Sequence, residues 1–285
     1  MNATPEVVEL RQGSLRLALR PDCGGAIAGL WLDDLPVLRS SEPGQLKSVR
    51  DSGSYALVPY SNRIGQRQFE WRGRSYTLAA NVPTEPHTLH GVGWQRPWLV
   101  SQRASDRATL AYTHPSDEDW PFAFHVEQTF ELSSSALRIT LAATNIDARE
   151  TPMGLGWHPY FVRRSRSRVH LELSHRWDAE PTKLPVQRVA QSALDADVAV
   201  LDLDNCFEGW IGPARIRDER LSMRMTSSLT YAVVYTPRDK DFFCVEPVSH
   251  VNNAIRNADP LAQGLIALPS GHSAQAWMQL EVART

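Results

Sequence analysis

The chain has 285 residues, of which 42% are apolar and 22% charged. A chain of this size and balance can bury a core without disulfides or a structural metal. Its formal charge of −2 argues against nucleic acid or an anionic membrane as the main partner.

In chain order the elements are short runs of period two broken by turn residues, the pattern of half-buried strands. Val7–Leu10 and Leu15–Leu19 flank Gln12-Gly13-Ser14, and Phe69–Trp71 and Ser75–Leu78 flank Arg72-Gly73-Arg74; both read as hairpins. Further strands are predicted at Thr109–Thr113, His125–Leu132, Ala136–Ala143, His170–Leu173, Leu221–Met225, Tyr231–Tyr235, Phe242–Glu246 and near Ala276–Val282. No long segment repeats apolar residues at helical spacing. The 19 prolines and 16 glycines are spread through the chain, and none marks a linker. The expectation is one all-β domain over residues 1–285, a large antiparallel β-sandwich.

Three cysteines, Cys23, Cys206 and Cys244, show no CxxC spacing and suit reduced thiols in the cytoplasm. No window reaches the roughly 18 apolar residues of a membrane span, and the N-terminus lacks a basic stretch followed by an apolar run. A soluble cytoplasmic protein is expected, as monomer or homodimer. The dense Arg163, Arg164, Arg166 and Arg168 read as a solvated face.

Four segments mix buried-type aromatics with His, Arg or Glu: 58–65 (VPYSNRIG), 87–91 (HTLHG), 154–161 (GLGWHPYF) and 243–247 (FCVEP). Alone, His158 reads as a packed histidine, and Glu246 as a strand end or a buried carboxylate paired with an arginine such as Arg63. Together, Asn62-Arg63-Ile64, Leu89-His90-Gly91, His158-Pro159-Tyr160-Phe161 and Glu246 stand in the order and spacing of the aldose 1-epimerase (galactose mutarotase-like) family, which the chain resembles. The resemblance runs from Asp22-Cys23-Gly24-Gly25-Ala26 to Leu268-Pro269-Ser270-Gly271-His272.

That resemblance implies the galactose mutarotase-like supersandwich and an isomerase that interconverts α and β anomers of a free aldose, with no cofactor and no metal. Glu246 matches the general base that takes the C1 hydroxyl proton, and His158 the general acid that protonates the ring oxygen. His90 matches a second histidine near the anomeric centre. Arg63 matches an arginine that binds sugar hydroxyls, and Asp204 resembles the sugar-binding aspartate over the shorter match Leu203–Phe207. Asn62 accompanies Arg63 in the binding segment. Trp157, Trp94, Trp98 and Tyr160 are candidates to stack on the sugar's C–H face.

Opening a hemiacetal needs a proton taken from the C1 hydroxyl and one given to the ring oxygen, each step accelerated about 10²–10⁴-fold by a placed side chain. This reading expects ionised Glu246, His158 protonated with its help, and a bell-shaped pH profile.

The galactose-type branch has Asn where Trp157 stands, and the chain continues Pro247-Val248-Ser249-His250 after Glu246. The acid and base therefore carry over, whereas a preference for galactose or glucose does not follow from the resemblance. Four other readings stay open. A glycoside hydrolase or lyase would need two carboxylates at the scissile bond, where the matched segments hold one His and one Glu. A hexose-6-phosphate 1-epimerase would need a cationic clamp, for which Arg96 is the candidate. A non-catalytic carbohydrate-binding module shares the fold. A metal site would draw on His87, His90, His158, Glu246 and His250, although no zinc spacing is present.

Overall fold

The computed structural model describes residues 6–285. Both expected hairpins form. Val8–Gln12 pairs antiparallel with Leu15–Arg20, and Gln68–Trp71 pairs with Arg74–Thr77. In the second turn Arg72 and Gly73 both take positive φ, the backbone twist that suits a two-residue hairpin.

Two large antiparallel sheets carry most of the remaining chain. The nine-stranded sheet runs Leu99–Arg103, Arg107–His114, Phe124–Leu132, Ala136–Asn145, Ser273–Arg284, Leu221–Ser227, Ile211–Arg217, Arg168–Glu172 and Ala193–Asp197. Its fourth strand, Ala136–Asn145, alternates strictly: Leu137, Ile139, Leu141 and Ala143 are buried, and the residues between them are half-exposed. Period two in the sequence is thus a two-faced strand in the fold.

The second sheet has eight strands. Its order is Pro185–Ala190, His175–Ala179, Asp204–Glu208, Tyr231–Tyr235, Phe242–Val248, Gly156–Trp157 and Ala56–Leu57, with Tyr160–Val162 also pairing Phe242–Val248. Val126, Ile139 and Met278 from the first sheet share one core with Val234, Phe243 and Val245 from the second. The sheets pack face to face, and truncating Phe243 to Ala there would cost about 3–5 kcal/mol. On the other face of the second sheet, Cys206, Val233, Cys244 and Val248 belong to a separate buried cluster. That face holds the site.

A four-stranded sheet of Val8–Gln12, Leu15–Arg20, Ala26–Leu32 and Leu35–Pro36 joins through bridges from Ile27 to Ser54 and Leu38 to Phe161. The arginine cluster is structural: Arg164 pairs with Asp218 at 2.7 Å, and Arg168 with Asp195 and Asp197. Cys23, Cys206 and Cys244 are free thiols, the last two buried. No helix among the described residues is long and apolar enough to cross a membrane.

Candidate active site

Strand Phe242–Val248 alternates between the core and the opposite face. Phe243 and Val245 point into the core, so Glu246 points away from it. Along one edge of this strand, Tyr160 pairs with Cys244 and Gly156 with Val248. Between those pairs the neighbouring strand is interrupted at His158-Pro159, and Pro159 has no N–H to offer a ladder. His158 is held instead by its own N–H, which donates to the Tyr55 carbonyl at 3.0 Å. His158 and Glu246 therefore stand level, and His158 Nε2 lies 3.3 Å from Glu246 Oε1.

Both side chains line a cleft of 390 Å³, together with Asn62, Arg63, His90 and Asp204. Strand Asp204–Glu208 lies two strands from Phe242–Val248, with Asp204 opposite Tyr235 and Tyr235 opposite Cys244. Asp204 and Glu246 thus face the same side. His158 Nδ1 and Glu246 Oε2 are buried without a hydrogen-bond partner among the described residues. Such atoms are costly unless a ligand satisfies them.

Burial governs the electrostatics of the pair. Loss of water raises the Glu246 carboxyl well above its usual range, aided by nearby Asp204 and opposed by Arg63. Burial, then the Arg39 charge, pushes His158 down to about 3. At 3.3 Å the two groups titrate as a unit, and low polarity favours one shared proton in the neutral form. The expectation that the carboxylate would hold His158 protonated is corrected: desolvation outweighs their attraction.

His90 is held by a two-residue exchange. Its N–H donates to the Asn62 carbonyl at 2.8 Å, and its Nδ1 accepts the Asn62 N–H at 3.1 Å. Both residues sit at positive φ, beside the short pair Arg63–Ile64 and Thr88–Leu89. Gly91 follows because a Cβ there would come 2.4 Å from the Val58 carbonyl oxygen. Burial and neighbouring His158 hold His90 well below the usual imidazole range. Its ring centroid is 5.1 Å from that of His158. Arg63 is anchored by a two-pronged pair with Glu85, at 3.2 and 3.1 Å.

The sequence profile of the family described as aldose 1-epimerase matches residues 6–281. The chain belongs to the aldose 1-epimerase family. This family member is 34% identical to the uncharacterised protein YphB of Escherichia coli K12, over 97% of its own length and 98% of that protein's. It superposes on a crystal structure of an E. coli K12 protein provisionally described as an aldose 1-epimerase, with a TM-score of 0.89 at 32% identity, covering 98% of this chain and 99% of the other. A galactose mutarotase-like protein of Clostridium acetobutylicum shares the fold at a TM-score of 0.83 and 20% identity, each chain covered completely. The all-β supersandwich expected from the resemblance is the fold observed.

Within this epimerase-family fold, six of the seven expected site residues meet in the cleft. Trp157 does not. Next to His158 on an extended chain, it points the opposite way, into the core, where its Nε1 donates to Gln128 Oε1 at 2.9 Å. Trp98 is likewise core, whereas Trp94 and Tyr160 line the cleft. Arg96 is tied to Asp119 and Asp117 outside the cleft, so it supplies no phosphate clamp. The five-residue metal cluster also comes apart. His87 Nδ1 accepts the Gln66 N–H, His250 Nε2 accepts the Ser61 N–H, and His250 Nδ1 donates to the Val251 carbonyl.

Sequence reasoning missed Glu85, Tyr55, Arg39 and Arg50, which all line the cleft. Tyr55 OH lies 3.0 Å from Tyr160 OH, and the Tyr160 ring stacks on His158 with centroids 4.4 Å apart. The Arg39 guanidinium sits 3.9 Å from the Tyr160 ring centroid. A larger groove of 680 Å³ beside the 68–77 hairpin has no histidine in its lining.

Proposed function

We propose that this protein is an aldose 1-epimerase that interconverts the α and β anomers of a free aldose without a cofactor. The observation that carries the reading is the 3.3 Å approach of His158 Nε2 to Glu246 Oε1 on the wall of a sugar-sized cleft, each side chain with a second, unpartnered atom.

A sugar whose anomeric carbon lies against this pair presents its C1 hydroxyl to one member and its ring oxygen to the other. One proton leaves the hydroxyl as another reaches the ring oxygen, the ring C–O bond breaks, and the aldehyde forms. Rotation about C1–C2 and the reverse transfers close the ring on the other face. The pair needs to hold only one proton throughout. Glu246 is the base and His158 the acid once that proton has crossed to the imidazole. The mirrored assignment uses the same atoms, so the geometry supports the pair rather than a fixed direction. His90 donates from Nε2 toward the sugar oxygens. Arg63, Asn62 and Asp204 bind hydroxyls, and Trp94 offers an apolar wall. A pure binding module has no need of two buried proton-exchanging groups in contact.

A second reading, an aldose bearing an anionic group, is favoured by one observation. Arg39 and Arg50 line the cleft, and neither is paired with a carboxylate among the described residues. Polarimetry or saturation-transfer NMR on a panel of neutral aldoses and aldose 6-phosphates tests both readings. Glu246→Gln and His158→Ala should each lower kcat/KM by about 10²–10⁴-fold. Folded variants that convert sugars as fast as the parent would remove the pair from the chemistry.

A further inference from the structure

Cys244 and Glu246 are two residues apart on one strand, on the face opposite Phe243 and Val245. One ligand atom each from His158, Cys244 and Glu246 lies within 4.8 Å of the other two, and all three residues are buried. The group combines an imidazole, a thiol and a carboxylate, the three donor types that hold zinc. Neither Mg²⁺ nor Ca²⁺ has use for the nitrogen and sulfur.

The spacing fits an ion. Two ligands held about 2.0–2.1 Å from zinc at a tetrahedral angle are about 3.3 Å apart. His158 Nε2 and Glu246 Oε1 are separated by 3.3 Å. A thiolate about 2.3 Å from the same ion stands about 3.5 Å from the other ligands, so Cys244 closes in by about 1.3 Å at most. A second observation points to a ligand: Glu246 Oε2 is buried and unpartnered. Entry is through the cleft, which His158 and Glu246 line.

We propose that His158, Cys244 and Glu246 form a binding site for a thiophilic divalent cation, zinc foremost, and that the bound ion inhibits the enzyme by occupying its acid/base pair. The inhibition half rests on the mutarotase reading; the binding half does not. Zinc binds as the Cys244 thiol and the His158–Glu246 pair each release one proton to solvent. The dication then faces one thiolate and one carboxylate, so the buried site stays neutral overall, which offsets the cost of burying either anion alone. Release of two protons makes the affinity rise by about 100-fold per pH unit while both remain bound in the free protein.

The test is a titration of the whole chain, purified without chelator or added metal, with Co²⁺ and then Zn²⁺. One Co²⁺ per chain should bring thiolate-to-cobalt charge transfer in the near ultraviolet, and Zn²⁺ should displace it. Zinc should inhibit mutarotation, EDTA should restore it, and Mg²⁺ should have no effect. Cys244→Ser should keep the parent's mutarotation, lack the cobalt band and need at least tenfold more zinc for the same inhibition. Cys206→Ser, which alters another buried thiol, should retain the band. Absence of the band in the parent, its persistence in Cys244→Ser, or a rise in activity on adding zinc would overturn the proposal. Should Cys244→Ser fail to fold, Cys244→Ala read by cobalt absorbance decides the same point. A cobalt band in a protein inactive on every sugar would leave the metal site standing and remove the mutarotase reading.

Discussion

His90 Nδ1 accepts the backbone N–H of Asn62 at 3.1 Å, and an acceptor nitrogen carries no proton. The ring is therefore the tautomer protonated on Nε2, and its donor is available to the cleft that His90 lines. Nitrogen-15 NMR should show His90 as that single neutral tautomer from pH 5 to 8, because burial and His158 hold its pKa well below the ordinary value. A ring titrating near pH 6.5 would refute this. His90→Ala should lower kcat/KM by about 10²-fold, the usual loss for one preorganised donor.

The acid/base pair sets a pH profile unlike that of a free imidazole. Activity requires one proton on the pair. The acid limb belongs to a second proton added to it, and burial has pushed His158 down to about 3. The alkaline limb belongs to loss of the shared proton, and Glu246 is raised well above the carboxylate range. For the folded enzyme, kcat/KM should be flat between pH 5 and 7 and fall on the alkaline side. The acid side of the bell expected from sequence thus moves out of the neutral range. Initial rates across buffers decide it: an acid limb near pH 6.5 would mean that His158 titrates as though in water.

Acid should destabilise the fold well before ordinary carboxylates protonate. His90, His158 and His250 are buried and depressed, His250 to about 4. With folded pKa values below the unfolded value near 6.5, their stabilisation is complete above that pH and is lost as pH falls. Glu246, raised in the folded state, works the other way: its stabilisation is present below about 4.5 and lost as pH rises. Near pH 5 the three histidines outweigh the one carboxyl by about two protons, or about 3 kcal/mol per pH unit. Urea midpoints should drop clearly from pH 7 to pH 5. Equal midpoints would contradict the buried neutral histidines.

Glu85 should matter for binding more than for chemistry. It grips Arg63 through both oxygens and touches neither His158 nor Glu246. Glu85→Gln keeps the shape but loses the charged two-pronged pair. We expect KM to rise about tenfold with kcat changed less than threefold. A fall in kcat at unchanged KM would place Glu85 in the chemistry instead.

Much of this was legible in the sequence because a strand's period is short and strict. The run Ala136–Ala143 alternates visibly, and the Gly13 and Gly73 turns read as hairpins that formed. The same rule, applied one residue further, would have removed Trp157 from the sugar site: neighbours on an extended chain face opposite ways, and His158 faces the cleft. Glu85 was hidden for another reason. It lies among prolines in a polar loop, and nothing in a linear chain says that such a loop folds back onto Arg63. The direction of the His158 shift was misjudged because a nearby carboxylate can be guessed from sequence, whereas the depth of burial that outweighs it cannot.

The interruption at His158-Pro159 divides the inheritance of the site. Proton exchange depends on which way a pleat points, so a slip of one residue in Phe242–Val248 would swing Glu246 in among the aliphatic side chains between the sheets. Arg39, Arg50 and Glu85 come from the edges and connections around the opening and are free of that constraint. Descendants of this scaffold can exchange one sugar for another by rewriting the rim while the reacting atoms stay in place.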